Sequence, residues 1–314
     1  MATLSSAEII SDVLDAYKTR FPLLTAISTD FSAEEARLGQ TITGRIASLP
    51  TVRDYDATDG YKANAANAND MTTDVSVTIS NHKHVPVKID YIDQIKTKRN
   101  LYNEVIGQLA FALGKKACDD ALALITAANF THSVTDGTPD LSTLNTIAGT
   151  LNGQGAAPVG RFGIVNSATY QSLENDEKIA SGNYHGQQRT SNAYGNLSNI
   201  AGFGNIFEYP DLATASSYTN ISGFFADRSS IVMAARVPSD YNAVAAQLGI
   251  PSIASTEVVS DPDTGLSIMG ITYQEAGTFD IYTTMVMMYG FVAGTNGGSA
   301  DDLLDNSAVV LASA

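Results

Sequence analysis

A long alternation of apolar and polar residues around position 80 constrains the fold of this chain more than any other feature. The alternating apolar positions are Val75, Val77, Ile79, Val85, Val87, Ile89 and Tyr91. A period of two predicts β-structure with one apolar face. A weaker alternation precedes it, and the intervening residues 58–72 are rich in Ala, Asn, Asp and Gly. We interpret residues 40–92 as a two-stranded β-ribbon with a polar tip.

The ribbon needs an apolar surface to lie on, because two strands alone are marginally stable in water. No third strand adjoins it in sequence, so we expect another subunit to cover it. Pro86 agrees with this prediction, since proline is tolerated in ribbon or edge strands and not in central ones. The predicted intersubunit residues of the ribbon are Val75, Val77, Ile79, Val85, Val87 and Ile89.

Residues 1–39 are interpreted as an N-terminal arm. An amphipathic helix is predicted over residues 7–17, and Pro22 ends it. Phe21, Leu23 and Leu24 then form an apolar patch with few neighbours of its own. We expect this patch to contact another subunit as well.

Residues 93–130 predict one long amphipathic helix, because apolar residues recur at spacings of three, four or seven between Tyr102 and Ala128. Cys118, the only cysteine, lies in this helix and is expected to be a small core residue. A single cysteine excludes an internal disulfide.

The remaining residues predict an α+β chain. Short strands alternate with helices over residues 131–238, which favours a compact α/β domain. Residues 239–314 are mostly strand-like, with a turn at residues 261–265. We find no internal repeat and no heptad series.

The composition excludes several classes of function. The net charge is −15, with 33 carboxylates against 18 lysines and arginines, so a phosphate-binding surface is not expected. No run of 18 apolar residues exists, so no membrane helix is expected. The N-terminus lacks a basic region followed by an apolar segment, so we expect no secretory signal.

Candidate chemistry is sparse. His82 and His84 lie two apart on a predicted strand and point to one face, but no third ligand can be nominated, so solvated histidines are the favoured interpretation. Asp261, Asp263 and Gly265 resemble the start of a calcium loop, but no glutamate follows at the required spacing. There is no G-x-S-x-G motif. We therefore predict no enzyme activity, no cofactor and no metal.

The order of these parts resembles the major capsid proteins of tailed phages, the Hong Kong 97-like fold. The resemblance assigns residues 1–39 to the N-arm, residues 40–92 to the extended loop and residues 93–130 to the spine helix. Residues 131–238 would be the axial domain, and residues 239–314 would be the peripheral domain. Residues 223–236 resemble the family's alanine-rich segment late in the axial domain. Residues 265–268 and 280–292, with the pair Tyr289–Gly290, resemble its closing strands.

The resemblance implies a structural shell protein. Its copies would form pentamers and hexamers of an icosahedral capsid around a double-stranded DNA genome, assembled in the host cytoplasm. The extended loop would lie across a neighbouring subunit. Because the arm begins almost at Met1, a separate scaffolding protein is expected, together with a portal.

Two alternatives stay open. An encapsulin, the shell protein of a bacterial compartment, has the same fold and would bind a cargo peptide instead of packaging DNA. A surface-layer protein or adhesin would share the richness in Ala, Thr, Asn and Ser, but it should carry a secretion signal.

Overall fold

The computed structural model describes a mixed helix and sheet protein, so the predicted α+β class is confirmed. The described residues are 21, 23–35, 38–47, 72–90, 101–156, 158–180, 196–238, 254–260, 267–274, 277, 280–294 and 308–313.

The strands are β1 Ser28–Glu35, β2 Thr41–Ala47, β3 Thr72–Thr78, β4 Asn81–Ile89, β5 Ser133–Thr135, β6 Phe162–Val165, β7 Asn196–Ile200, β8 Phe203–Glu208, β9 Ile221–Ala226, β10 Ile231–Val237, β11 Ala254–Ser260, β12 Ser267–Gln274, β13 Ile281–Ala293 and β14 Ala308–Ala312. The helices are α1 Leu23–Ala26, α2 Leu101–Leu122, α3 Leu141–Gly153, α4 Ser167–Asn175, α5 Glu177–Ala180 and α6 Leu212–Ala215, with a 3₁₀ turn at Arg228–Ser230.

The chain divides into two compact units. Unit 1 comprises Met1–Ile42, Val77–Leu124 and Val232–Val292, and unit 2 comprises Thr43–Ser76, Ile125–Ile231 and Ala293–Ala314. Each unit is assembled from three separate stretches of the sequence.

Unit 1 is built on one large sheet in the strand order β1-β10-β13-β12-β11, with β4 paired to β13. The ladders that join β11 to β12, β12 to β13 and β13 to β4 are antiparallel. Val237, Met269 and Val286 form one buried apolar cluster of this sheet. β11, β12 and β13 are therefore strands predicted within residues 239–314, and the partners of β13 include β4, which we interpret as part of the ribbon from the sequence.

The described part of the N-terminal arm packs within unit 1 of its own chain. Phe21, Leu23, Leu24 and Ile27 are all buried. β1 then runs parallel to β10 in the large sheet. The apolar patch thus has neighbours that the sequence did not reveal, and the helix predicted over residues 7–17 lies outside the described residues.

Helix α2 ends earlier than its apolar pattern predicts. Its buried stripe of Leu109, Leu113, Ala117 and Ala121 confirms the four-residue spacing. The amide of Leu124 then bonds to the carbonyl of Ala121, three residues back, and this tighter turn closes the helix. The 22 described residues span about 33 Å. The predicted start at residue 93 lies outside the described residues.

Unit 2 contains a six-stranded sheet in the order β5-β14-β9-β6-β8-β7. Its core joins residues of α3 and α4, such as Leu144, Ile147 and Leu173, to Phe225 and Leu311 of the sheet. β14 lies between β5 and β9, so the last strand of the chain belongs to this sheet and not with the other C-terminal strands.

Two glycines make room for a buried ring in unit 2. A Cβ at Gly163 would lie 2.6 Å from Cε1 of Phe225, and one at Gly223 would lie 3.0 Å from Cε2 of the same ring. Phe225 is fully buried, so the ring cannot move aside without disturbing the core.

Helix α3 begins at a capping box. The Asp140 carboxylate accepts a hydrogen bond from the backbone N–H of Thr143 at 3.0 Å, and the Thr143 hydroxyl accepts one from the Asp140 N–H. The bond from Thr143 holds the pKa of Asp140 below its ordinary value. The Asp176 carboxylate accepts from the N–H of Leu141 at 2.8 Å, so a second acidic side chain covers the positive end of the helix.

Candidate functional site

The base of the ribbon is held by backbone hydrogen bonds within the chain. β2 and β3 form a two-stranded sheet. The N–H of Gly39 donates to the carbonyl of Ile79 at 2.8 Å, and the N–H of Ile79 donates to the carbonyl of Gln40 at 3.0 Å. Gly39 has a φ of +87°, a conformation that favours glycine. The predicted tip at residues 58–72 lies outside the described residues, apart from Thr72.

The base of the ribbon packs closely on β13. Ile79 is fully buried against Met288, with Ile42 beside them. A Cβ at Gly290 would lie 2.1 Å from the carbonyl oxygen of Thr78 and 3.2 Å from the Cα of Ile79. This approach of two backbones is possible only because residue 290 has no side chain.

The residue before Gly290 joins the same strand to the long helix. The hydroxyl of Tyr289 donates to the Asp120 carboxylate of α2 at 2.6 Å. Lys116, one helical turn away, donates to the other oxygen of that carboxylate at 2.6 Å. Burial raises the pKa of Tyr289, and the bond to Asp120 raises it further, so the phenol stays protonated. Ribbon base, sheet and helix therefore meet at Tyr289 and Gly290.

Five of the nine predicted intersubunit residues are covered by their own chain. At most 5% of the surface is exposed in each of these five residues, which are Val77, Ile79, Phe21, Leu23 and Leu24. Val85 and Val87 are half-buried. Val75 and Ile89 lie in strands β3 and β4, but the structure does not describe their side chains. A contact of any of these residues with another subunit stays a prediction.

The second half of the alternating pattern has a partner in its own chain, contrary to our expectation. β4 pairs with β13 over nine residues, from Asn81 opposite Tyr289 to Ile89 opposite Ile281. Helix α2 also packs against β4. Within the described residues, β13 is the one strand that pairs with β4. Pro86 therefore occupies an edge strand, as expected from its missing N–H.

One face of the unit 1 sheet carries exposed apolar side chains that the sequence analysis missed. Residues directly opposite each other in these ladders share a face, and α2 lies on the other face, where Tyr289 meets Asp120. We use the name open sheet face for the exposed and half-buried residues of the first face, which are Pro86, Val258, Ile271, Tyr273, Tyr282 and Thr284. Met269, Val286 and Met288 lie on the same side of the sheet but are buried.

Exposure on the open sheet face is substantial. Val258 is 47% exposed and Tyr273 is 40% exposed, and the Tyr273 ring stacks on Tyr282 with centroids 5.1 Å apart. Contiguous exposed apolar patches mark contact with another protein, whereas single exposed apolar side chains are normal. The available signal in the sequence was the apolar set Met269, Ile271 and Tyr273 at alternate positions of β12, which indicates an apolar face on this strand.

The candidate chemical groups are not assembled into a reactive site in the described residues. No group of three or more His, Cys, Asp or Glu side chains is placed there to hold a metal ion. Cys118 is fully buried, and burial raises the pKa of its thiol, which agrees with a core residue. The turn with Asp261 and Asp263 lies outside the described residues.

Among the helices of the described part, none is long and apolar enough to cross a membrane.

The fold as a whole is that of phage capsid structures. A chain in the capsid of the cyanophage P-SCSP1u superposes with a TM-score of 0.59 and 12% sequence identity, over 92% of this chain and 86% of that one. A chain of the acidic stable capsid of the Helicobacter pylori bacteriophage KHP30 gives a TM-score of 0.55 and 11% identity, over 92% and 89%. A chain of Mycobacterium phage Cain gives 0.55 and 15%, over 100% and 99%.

The sequence itself matches no protein-family model and no curated relative. The similarity is therefore one of fold, and it includes both units because it spans nearly the whole of each chain compared.

Proposed function

We propose that this protein is the major capsid protein of a tailed phage, with a Hong Kong 97-like fold. Its copies would assemble into an icosahedral shell that encloses the double-stranded DNA genome. The observation that carries this proposal is the extent of the fold similarity, which reaches 92–100% of this chain for the three phages named above. A shared module would match only a part.

The parts of the chain would then have separate tasks in the shell. Residues 1–39 would be the N-arm, 40–92 the extended loop, 93–130 the spine helix, 131–238 the axial domain and 239–314 the peripheral strands. Because β14 lies in the sheet of unit 2, we assign the last strand to the axial domain instead.

The ribbon would be a clamp between subunits. Its base is anchored at Ile79 and Gly290 of its own chain, but the sheet of β2 and β3 has only two strands. Two strands gain little stability alone, so contact with a neighbour would give the outer ribbon its partner. The open sheet face offers an apolar surface for such contacts through Val258 and Tyr273.

The role would be structural, without catalysis and without specific DNA binding. A net charge of −15 makes the chain repel phosphates, which suits a container wall that must not hold its cargo. A separate scaffolding protein, a portal and assembly in the host cytoplasm are further predictions that rest on the family resemblance alone.

Electron microscopy and light scattering of the purified chain test the proposal. We expect closed shells, or rings of five and six subunits, when the chain is produced alone or with a scaffolding protein. A chain that stays monomeric at high concentration under all salt and scaffold conditions would contradict it.

A shortened ribbon tests the proposed clamp. Replacing residues 58–72 with an Asn-Gly turn should leave the melting transition of the subunit unchanged, because a polar tip adds little to a core. Shell formation should be lost. Normal assembly of this variant at the same concentration would show that the ribbon is not a clamp.

A further inference from the structure

His82 and His84 occupy alternate positions of the edge strand β4. Alternate residues of a strand point to the same face, and their Cα atoms lie about 6.5–7 Å apart. In the ladder with β13, His82 is opposite Met288 and His84 is opposite Val286. Both imidazoles therefore lie on the same side of the sheet as the open sheet face, away from α2.

The two imidazoles have no interaction partner within the described part of the chain. Both side chains are exposed. Neither takes part in a hydrogen bond, an ion pair or a ring contact there. In proteins, neutral imidazole nitrogens bind Zn²⁺, Cu²⁺ and Ni²⁺. His132 is also exposed but has no second histidine two residues away, so it provides a matched comparison.

In place of the solvated histidines that the sequence alone favours, we propose that His82 and His84 together bind one divalent transition-metal ion at the surface of β4. Metal–nitrogen bonds of about 2.0–2.1 Å let two imidazoles on one face of a strand converge on a single ion. Water would complete the coordination, because no third protein ligand lies within the described residues.

The chemistry of this pair limits which ions it can take. Two nitrogen donors do not satisfy Mg²⁺ or Ca²⁺, which require several oxygen ligands. The affinity should follow the order Cu²⁺ above Ni²⁺, as for other nitrogen sites. The net charge of −15 raises the local concentration of cations around the chain.

Calorimetric titration of NiCl2 into the full-length protein tests the site. We expect one ion per chain, and a loss of affinity of at least tenfold in His82→Gln and in His84→Gln. His132→Gln should bind as the wild type does. Equal binding by all three variants, or an equal loss in His132→Gln, would overturn the proposal.

A relocated pair tests the geometry. Pro86 is exposed on the same face as His84, so the double variant His82→Gln with Pro86→His restores two histidines at the same spacing. We expect it to regain the affinity that His82→Gln loses. A folded double variant that binds no better than His82→Gln would contradict a shared ion.

Electron paramagnetic resonance with Cu²⁺ gives a second measure that does not depend on folding of the relocated variant. The nitrogen splitting should indicate two imidazoles in the wild type and one in each single variant. Two nitrogens in His84→Gln would overturn the site. The proposal concerns a single chain and does not depend on the proposed capsid function.

Discussion

Replacing Gly290 with alanine should release the ribbon base from β13. The new Cβ would lie 2.1 Å from the carbonyl oxygen of Thr78, whereas carbon–oxygen contacts in proteins are normally about 3.3–3.6 Å. The two backbones must therefore separate by roughly 1 Å. No side chain rotation can relieve the contact, because the nearest atoms all belong to the backbone of Thr78 and Ile79.

The loss of stability can be worked out from the contacts that the separation of the two backbones disturbs. Overpacking of a core typically costs about 1–3 kcal/mol. Ile79, which is fully buried against Met288, would also lose part of the roughly 1.5–3 kcal/mol that burial of its side chain contributes. We expect a net loss of about 2–3 kcal/mol. In a domain of ordinary size this lowers the melting temperature by on the order of 5–10 °C.

The matched control is Gly149→Ala. Gly149 lies in the middle of α3, and a Cβ there meets nothing within 4 Å. The same substitution should therefore stabilise the chain by up to about 1 kcal/mol through helix propensity. Differential scanning calorimetry of both variants gives the comparison. A melting temperature for Gly290→Ala at or above that of the wild type would refute the close approach of the two backbones.

Three further substitutions test other contacts. Asp140→Ala should destabilise the chain by about 1 kcal/mol at pH 7. The pKa of Asp140 is lowered in the fold, so its contribution to stability is present above the unfolded value of about 3.9 and is lost as the pH falls through the folded pKa. Urea unfolding should therefore show a smaller difference in stability between Asp140→Ala and the wild type at pH 2 than at pH 7. An equal difference in stability at both pH values would count against the cap. Tyr289→Phe should cost about 1.5–3 kcal/mol, since it removes a hydrogen bond to a carboxylate; unchanged urea unfolding would mean that this bond contributes nothing. Gly163→Ala should destabilise unit 2 by about 1–3 kcal/mol, because its Cβ would lie 2.6 Å from a buried ring; stabilisation, as in Gly149→Ala, would argue against that packing.

Elements with local signals could be predicted from the sequence. Helix α3 follows the capping residue Asp140 and runs from Leu141 to Gly153, so it ends at the pair Asn152–Gly153 that favours a helix end. The strands of unit 2 are short apolar segments between turns, and β6, β8 and β9 appear where these segments lie. In each case the residues that define the element are neighbours in the chain.

The partners of strands could not be predicted in the same way. The alternation through residues 75–91 keeps one phase and is interrupted at Asn81 and Lys83 before it restarts at Val85. We interpreted both halves as one ribbon arm, yet β3 belongs to the ribbon and β4 belongs to the large sheet. A period of two reports that one face of a strand is apolar, and it contains no information about the strand that lies alongside. The partner of β4 is β13, and the paired residues are 192 to 208 positions apart in the chain, from 281 − 89 to 289 − 81. The location of β14 in the sheet of unit 2 was missed for the same reason.

The pair Tyr289–Gly290 illustrates how a sequence pattern acquires a physical cause. In the sequence it was a point of resemblance, with no assigned contact. In the fold, the tyrosine hydroxyl fixes α2 to β13 through Asp120, and the glycine lets the backbone at Thr78 approach the same strand. The tyrosine's task could be met by another side chain that reaches the carboxylate. No other residue could replace the glycine, because the atoms nearest to it belong to the backbone of Thr78 and Ile79. Every other side chain begins with a Cβ, and the space between the two backbones excludes that atom.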